Sequence, residues 1–120
     1  MTRTCWAMAL GAALTLAAGC ATTAPVPAEN LAHARASVRA AHQVGTESVP
    51  EASYHLDLAE EQLASARMML MHGHNSRATM VLARAEADAA LAHALSREHA
   101  TREAADRAAA EVRTLQSSMR

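Results

Sequence analysis

Aromatic side chains are nearly absent from this sequence of 120 residues, which has no Phe and only Trp6 and Tyr54 as aromatic residues. Without aromatic platforms the chain is poorly suited to stacking nucleic-acid bases or sugars. Lysine is also absent, and all basic residues are Arg. The formal net charge of −1 argues against binding to nucleic acid, which needs a basic face. Bulky apolar residues are sparse beside Ala, which predicts a thin core and modest stability.

Cysteine is scarce as well, and the second of the two cysteines is Cys20. An uncharged segment over residues 6–18 precedes it, which is shorter than the ~20 apolar residues of a transmembrane helix. The segment ends in Leu16-Ala17-Ala18-Gly19-Cys20, which is typical of a bacterial lipobox. This pattern predicts a lipoprotein signal peptide over residues 1–19, cleavage after Gly19 and lipidation of Cys20. The alternative is a buried N-terminal helix.

Processing at this site leaves no free thiol, because Cys5 is removed with the signal peptide and Cys20 carries the lipid. A disulfide, a catalytic cysteine and a zinc-thiolate site are therefore not expected. Residue 21 is Ala rather than the Asp that retains lipoproteins at the inner membrane in enteric-type sorting. We expect an outer-membrane lipoprotein facing the periplasm, with residues 20–29 as an extended, proline-containing tether.

Few glycines and prolines interrupt the rest of the chain, and they divide it into three helical segments. We predict helices over about residues 28–44, 50–72 and 75–118, within a helical domain over residues 30–120. The predicted fold is all-α, with a lipidated N-terminal tether followed by a three-helix antiparallel (up-down-up) hairpin or bundle and a long C-terminal helix.

The helix ends carry capping signals. Gly45 and Gly73 are predicted to follow the first and second helices in the left-handed conformation that favours glycine. Pro50 fits the first turn of the second helix, where its missing N–H has no partner to lose. The side chains expected to cap helix starts are Ser48 with Glu51, in a capping box before the second helix, and Asn75 or Ser76 before the third.

Ala and Leu recur at four-three spacing along the helices, which predicts a closely packed antiparallel pair. The first helix has a weaker stripe, and the third has a second apolar line on its far side. The predicted core positions are Leu31, Ala34, Val38 and Ala41; Ala52, Leu56, Ala59, Leu63, Ala66 and Leu70; and Ala78, Leu82, Ala85, Ala89 and Ala92. The second apolar line is Met80, Ala87, Leu91 and Ala94.

The third helix is predicted to extend beyond the second helix from about Ser96 onward. Its last part has two favourable i,i+4 pairs, Glu98–Arg102 and Glu103–Arg107. An apolar stripe with nothing in its own chain to cover it predicts self-association or docking of another helix. The alternative is a solvated helix stabilised by its ion pairs. The stripe consists of Ala100, Ala104, Ala108, Val112 and Leu115.

The segment from Met68 to His74 contains three methionines and two histidines, which are ligand types of periplasmic copper sites. The alternative is that the methionines fill gaps in the core and the histidines lie in a polar turn. Two His–carboxylate pairs, Glu51–His55 and His99–Glu103, are one turn apart but lack the spacing of a zinc protease. We therefore predict no catalytic residue, no metal site and no cofactor.

Several short segments of this chain resemble the domain-of-unknown-function 4398 lipoproteins, which are small Ala-rich proteins of the Gram-negative envelope. These segments are Leu31-Ala-x-Ala-Arg35, Pro50-Glu-Ala-x-x-x-Leu-x-x-Ala59, Gly73 with Arg77-Ala78, and Ala85-Glu-Ala-Asp-Ala-Ala-Leu-Ala92. The resemblance implies an envelope location, a helical hairpin with a glycine turn and no established activity. Many relatives have an acidic residue after the glycine, whereas this chain has His74. Some relatives also carry an OmpA-like peptidoglycan-binding domain, which is not expected here.

Two classes of function follow from these observations. The first is a non-catalytic interaction or structural lipoprotein, held at the membrane through Cys20 and offering the C-terminal helix to a protein partner or to itself. The second is a periplasmic copper-type metal or small-ligand binding protein that uses the Met/His turn. An interaction protein would use the C-terminal half of the third helix, whereas a metal or small-ligand binding protein would give that half no role.

Overall fold

The computed structural model describes residues 26–120, nearly all of which lie in three helices. These are α1 (Ala28–Gln43), α2 (Pro50–Met71) and α3 (Asn75–Ser118), with a short 3₁₀ turn at Thr46–Ser48. No strand occurs between residues 26 and 120, so the predicted all-α fold is confirmed. The signal peptide, Gly19, Cys20 and most of the tether lie outside the described residues.

The three helices begin and end within one residue of the predicted bounds. The α3 helix has 44 residues and α2 has 22. At 1.5 Å per residue these lengths correspond to about 66 Å and about 33 Å, so α2 can accompany only half of α3. Within residues 26–120 no helix is long and apolar enough to cross a membrane.

The connection between α1 and α2 is built around Gly45, whose φ of +72° lies in the left-handed region, as predicted. The buried Thr46 hydroxyl donates to the Ala41 carbonyl, which ties the turn to the end of α1. Pro50 occupies the first turn of α2, as predicted, but the expected capping box is wrong. The residue before α2 is Val49, and the Ser48 hydroxyl donates instead to the Gly45 carbonyl at 2.8 Å. The Ser48 side chain, which was expected to cap α2, therefore forms its hydrogen bond within the 3₁₀ turn.

The turn between α2 and α3 is a Schellman motif. Gly73 has φ +76°, its N–H donates to the Leu70 carbonyl at 3.1 Å, and the His74 N–H donates to the Met69 carbonyl at 2.9 Å. The expected cap of α3 by Asn75 or Ser76 is wrong. Because α3 already begins at Asn75, Asn75 and Ser76 lie inside the helix, and the capping position falls to His74, which makes no side-chain capping hydrogen bond.

The core is a seam of Ala and Leu side chains between the helices. All predicted core positions of α3 are buried, as are those of α1 and α2 apart from the half-buried Leu31 and Leu70. Small Ala side chains let helix axes approach closely, and the few leucines fill the remaining space. Leu63 and Leu82, both predicted core positions, are 6% and 0% exposed.

The α3 helix is the centre of the bundle, because it packs along both α2 and α1, whereas α1 and α2 touch each other little. The α2 and α3 helices are antiparallel across their short turn, with His55 and Gln62 of α2 both reaching Asp88 of α3. At the other connection, His42 in the last turn of α1 contacts Glu60 of α2 at 2.6 Å. These contacts favour the predicted up-down-up order.

Candidate interaction surface on the C-terminal helix

Ser96 is the last buried residue of α3. Up to this point the buried positions follow four-three spacing through Ala85, Ala89 and Ala92. The next positions of the same pattern are His99, Glu103 and Asp106, which are polar. Burying polar side chains without hydrogen-bond partners costs free energy, so the change to polar residues at these positions explains why the bundle core ends at Ser96.

Beyond Ser96, every residue of α3 and the two that follow it are exposed. We call this segment, residues 97–120, the overhang. It is stabilised along its own axis by ion pairs that the sequence predicted, Glu98–Arg102 at 2.5 Å and Glu103–Arg107 at 3.8 Å. His99 adds a 3.9 Å contact with Glu103. These pairs join turns of one helix and link it to no other element.

The predicted stripe in the overhang is fully exposed, but its members do not share one face. A spacing of four residues drifts around the axis, so Ala100 is rotated by about 120° from Val112 at 100° per residue. Ala108, Val112 and Leu115 do lie together, because their spacing is four and three. Ala100 and Ala104 therefore lie on a different face of the helix from the rest of the predicted stripe.

Strict four-three spacing identifies a longer line, which we call the outer seam. It includes Ala105 and Met119, which do not belong to the predicted stripe. It also continues along the bundle through three residues of the predicted second apolar line, Ala87, Leu91 and Ala94. All its residues are exposed, including Leu91 at 42%, Val112 at 52% and Leu115 at 55%. The outer seam consists of Ala87, Leu91, Ala94, Glu98, Thr101, Ala105, Ala108, Val112, Leu115 and Met119.

The Met/His turn lies at the opposite end of the hairpin. Met68 and Met71 are exposed, so they do not fill the core, whereas Met69 is half-buried. The rings of His72 and His74 are 6.4 Å apart between centroids. Within residues 26–120 no group of three or more His, Cys, Asp or Glu side chains is placed to hold a metal ion.

A polar cluster between α2 and α3 was not predicted from the sequence. Asp88 accepts a hydrogen bond from Gln62 at 2.8 Å and contacts His55 Nδ1 at 3.1 Å. Glu51 lies one turn from His55 in the sequence, but the carboxylate that His55 contacts is that of Asp88 on the facing helix. The side chains of His55 and Asp88 are 21% and 23% exposed, so the cluster lies at the edge of the core. The cluster joins the two helices through Asp88, whereas the amide oxygen of Gln62 is buried without a hydrogen-bond partner among the described residues.

The geometry defines a small all-helical protein, in which a compact three-helix bundle carries a C-terminal helix that extends well beyond it. A family model for a domain of unknown function, DUF4398, matches residues 29–108, and the chain belongs to this family. The match covers the whole bundle and the first half of the overhang, whereas Val112, Leu115 and Met119 lie beyond it. No curated protein and no solved structure matches the chain.

Proposed function

We propose that the chain is an outer-membrane-anchored periplasmic lipoprotein whose helical domain is a non-catalytic interaction or structural module of the cell envelope. The observation that carries the proposal is the overhang, a helical extension with every residue exposed and with an outer seam that is apolar apart from Glu98 and Thr101. An uncovered line of apolar side chains on an ordered helix is typical of a docking surface.

The position of the overhang within the fold supports this role. Helix α1 begins at Ala28, so it includes the last two residues of the tether predicted over residues 20–29. In the up-down-up order, the start of α1 and the α2–α3 turn lie at one end of the bundle and the overhang leaves from the other. A lipid on Cys20 then holds the first end at the membrane and presents the overhang to the periplasm.

The lipid anchor itself rests on the lipobox-like residues 16–20 and on Ala21. Because one acyl chain binds a membrane weakly, stable anchoring needs the additional chains that mature bacterial lipoproteins carry. Mass spectrometry of the membrane fraction should detect a chain that begins at a modified Cys20. A Cys20→Ser variant is the matched control and should lose the modification. An unmodified Cys20 in the wild-type chain, or an N terminus still at Met1, would contradict the anchor.

The interaction role is tested by removing the overhang. Deletion of residues 97–120 removes no buried side chain, so the bundle should keep its helical signal per residue and its cooperative unfolding. We expect the chain with its overhang to form crosslinked complexes in cells, and the same deletion should abolish them. Unchanged complexes after deletion would show that the overhang is only a solvated tail.

Point variants separate the outer seam from the rest of the overhang. Val112→Ala and Leu115→Ala shorten exposed apolar side chains on the seam, whereas Arg113→Ala changes the side chain between them on another face. We expect the two seam variants to reduce complex formation and the Arg113 variant to leave it intact. Equal losses from all three would point to general destabilisation of the helix end.

Metal binding at the Met/His turn is the second candidate function, and the exposure of Met68 and Met71 beside two histidine rings favours it. Thioether and imidazole groups together select Cu(I). Titration with Cu(I) under reducing conditions should then show binding at micromolar metal or below. A Met71→Leu variant should weaken this binding, while Met80→Leu, at another exposed methionine, should not. Absence of binding to the wild-type chain would remove this candidate.

A further inference from the structure

The outer seam is graded in size along the overhang. Its first half has Glu98 followed by the small residues Thr101, Ala105 and Ala108, and its second half has Val112, Leu115 and Met119. The three large side chains are 52%, 55% and 79% exposed. A seam with small residues at one end and large ones at the other is complementary to a copy of itself that runs in the opposite direction.

We propose that the outer seam of the overhang pairs with the outer seam of a second copy of this chain, with the two helices antiparallel and centred near residue 110. This inference rests on the proposed interaction function and names its partner. In this register Val112 of one copy faces Ala108 of the other. Leu115 likewise faces Ala105, and Met119 faces Thr101. Each contact occurs twice, because the pair has two-fold symmetry.

Packing favours the antiparallel direction over the parallel one. In a parallel pair, Ala105 and Ala108 face their own counterparts and leave gaps, whereas Leu115 and Met119 face theirs and force the helices apart. Two straight helices keep a roughly constant separation, so a seam packs well only when the summed side-chain volume is similar at each level. Large-on-small pairing meets this condition along the whole overlap.

The charges beside the seam are compatible with the same register. Arg107 of one copy, which pairs with Glu103 of its own helix, lies beside Glu111 of the other copy on one flank. Glu98, the first seam position of the overhang, lies near Arg120 of the other copy. Glu111 also approaches its own counterpart at the centre, and the two Arg107 side chains offset that repulsion. The bundles lie outside the overlap, since α2 and α1 pack on the opposite side of α3 and only as far as Ser96.

Sedimentation equilibrium of the full-length lipoprotein in density-matched detergent tests the proposal. We expect a monomer–dimer equilibrium, and Leu115→Ala should raise its dissociation constant on the order of a hundred-fold, because two symmetric contacts lose apolar area. Ala105→Leu should also weaken the dimer, because Leu then faces Leu and overpacks the seam. The double variant Ala105→Leu/Leu115→Ala exchanges the large and the small side chain between the two facing positions and should restore most of the dimer affinity.

Leu91→Ala is the matched control, because it shortens an outer-seam leucine that lies along the bundle and outside the overlap. It should leave the dissociation constant unchanged, and circular dichroism should show the same helical content in all variants. A tighter dimer from Ala105→Leu would indicate parallel pairing and overturn the proposal. A wild-type chain that stays monomeric at all concentrations would do the same. If that monomer still loses its cellular complexes through Leu115→Ala, the proposed interaction function stands and only self-pairing fails.

Discussion

Asp88 of α3 accepts a hydrogen bond from the side-chain amide of Gln62 on α2, with 2.8 Å between Gln62 Nε2 and Asp88 Oδ2. The other carboxylate oxygen contacts His55 Nδ1 at 3.1 Å, so one acidic side chain holds two positions of the facing helix. In a core made largely of Ala, such a polar cluster fixes the register of the two helices as well as adding to their stability.

Replacing Asp88 with Ala should lower the free energy of unfolding by about 1–3 kcal/mol, because two partly buried polar groups lose their partner. Glu103→Ala is the matched control, since it also removes an α3 carboxylate with two partners, but in the exposed overhang. It should cost less than about 0.5 kcal/mol. Urea denaturation of the two variants measures the difference. Equal effects would mean that the Asp88 cluster contributes nothing beyond a surface pair.

Leu63 is one of the few bulky side chains in the core, and it is 6% exposed. Leu63→Ala should destabilise the chain by about 2–5 kcal/mol, since little neighbouring volume can collapse into the space. That amount is a large part of the stability of a small domain, so the thermal midpoint should fall sharply. Arg107→Ala removes an exposed side chain and should leave the midpoint almost unchanged. A small effect from the Leu63 variant would contradict its assignment to the core.

The helices and the core seam were predictable from the sequence because both depend on local spacing. Ala and Leu at four-three intervals mark the buried face of α2 and α3 whatever lies opposite, and Gly45 and Gly73 mark turns through their own backbone freedom. The ion pairs of the overhang were predictable for the same reason, because each joins residues one turn apart.

Contacts between distant parts of the chain were not predictable in this way. His55 has a carboxylate one turn away at Glu51, yet it pairs with Asp88, because the facing helix brings that side chain to the edge of the core. Ser48 was also mispredicted, because the 3₁₀ turn brings its hydroxyl to the Gly45 carbonyl instead of to the start of α2. The outer seam is a different case, since its four-three spacing is present in the sequence and only its exposure required the structure.

Helix α3 begins without a side-chain cap, because His74 occupies the position before Asn75 and makes no capping hydrogen bond. His74→Asp should raise stability by about 0.5–1 kcal/mol, since an Asp side chain at this position can accept from backbone N–H groups of the first turn and favours the positive end of the helix dipole. His72→Asp is the matched control. It places the same charge at the C-terminal end of α2, where it should be neutral or slightly destabilising. Thermal unfolding at low salt should show a higher midpoint for His74→Asp and an unchanged or lower midpoint for His72→Asp.

The overhang should unfold locally and independently of the bundle, because no buried side chain anchors it. An isolated helix of this length is marginal in water, and it relies on Ala propensity and on its ion pairs. Ala108→Gly should therefore cost about 1 kcal/mol of local helix stability. It should lower the helical signal and speed amide hydrogen exchange in the overhang, while the thermal midpoint of the bundle stays the same.

Ala89→Gly makes the same chemical change in the same helix at a position that is 0% exposed. There the loss of packing adds to the loss of helix propensity, so the midpoint of the whole bundle should fall. Hydrogen exchange followed by mass spectrometry resolves the two regions. If the copies pair as proposed, protection of the overhang in the wild-type chain should also rise with protein concentration, because association stabilises only the folded segment. A midpoint that falls equally for both variants would show instead that the overhang and the bundle unfold as one unit.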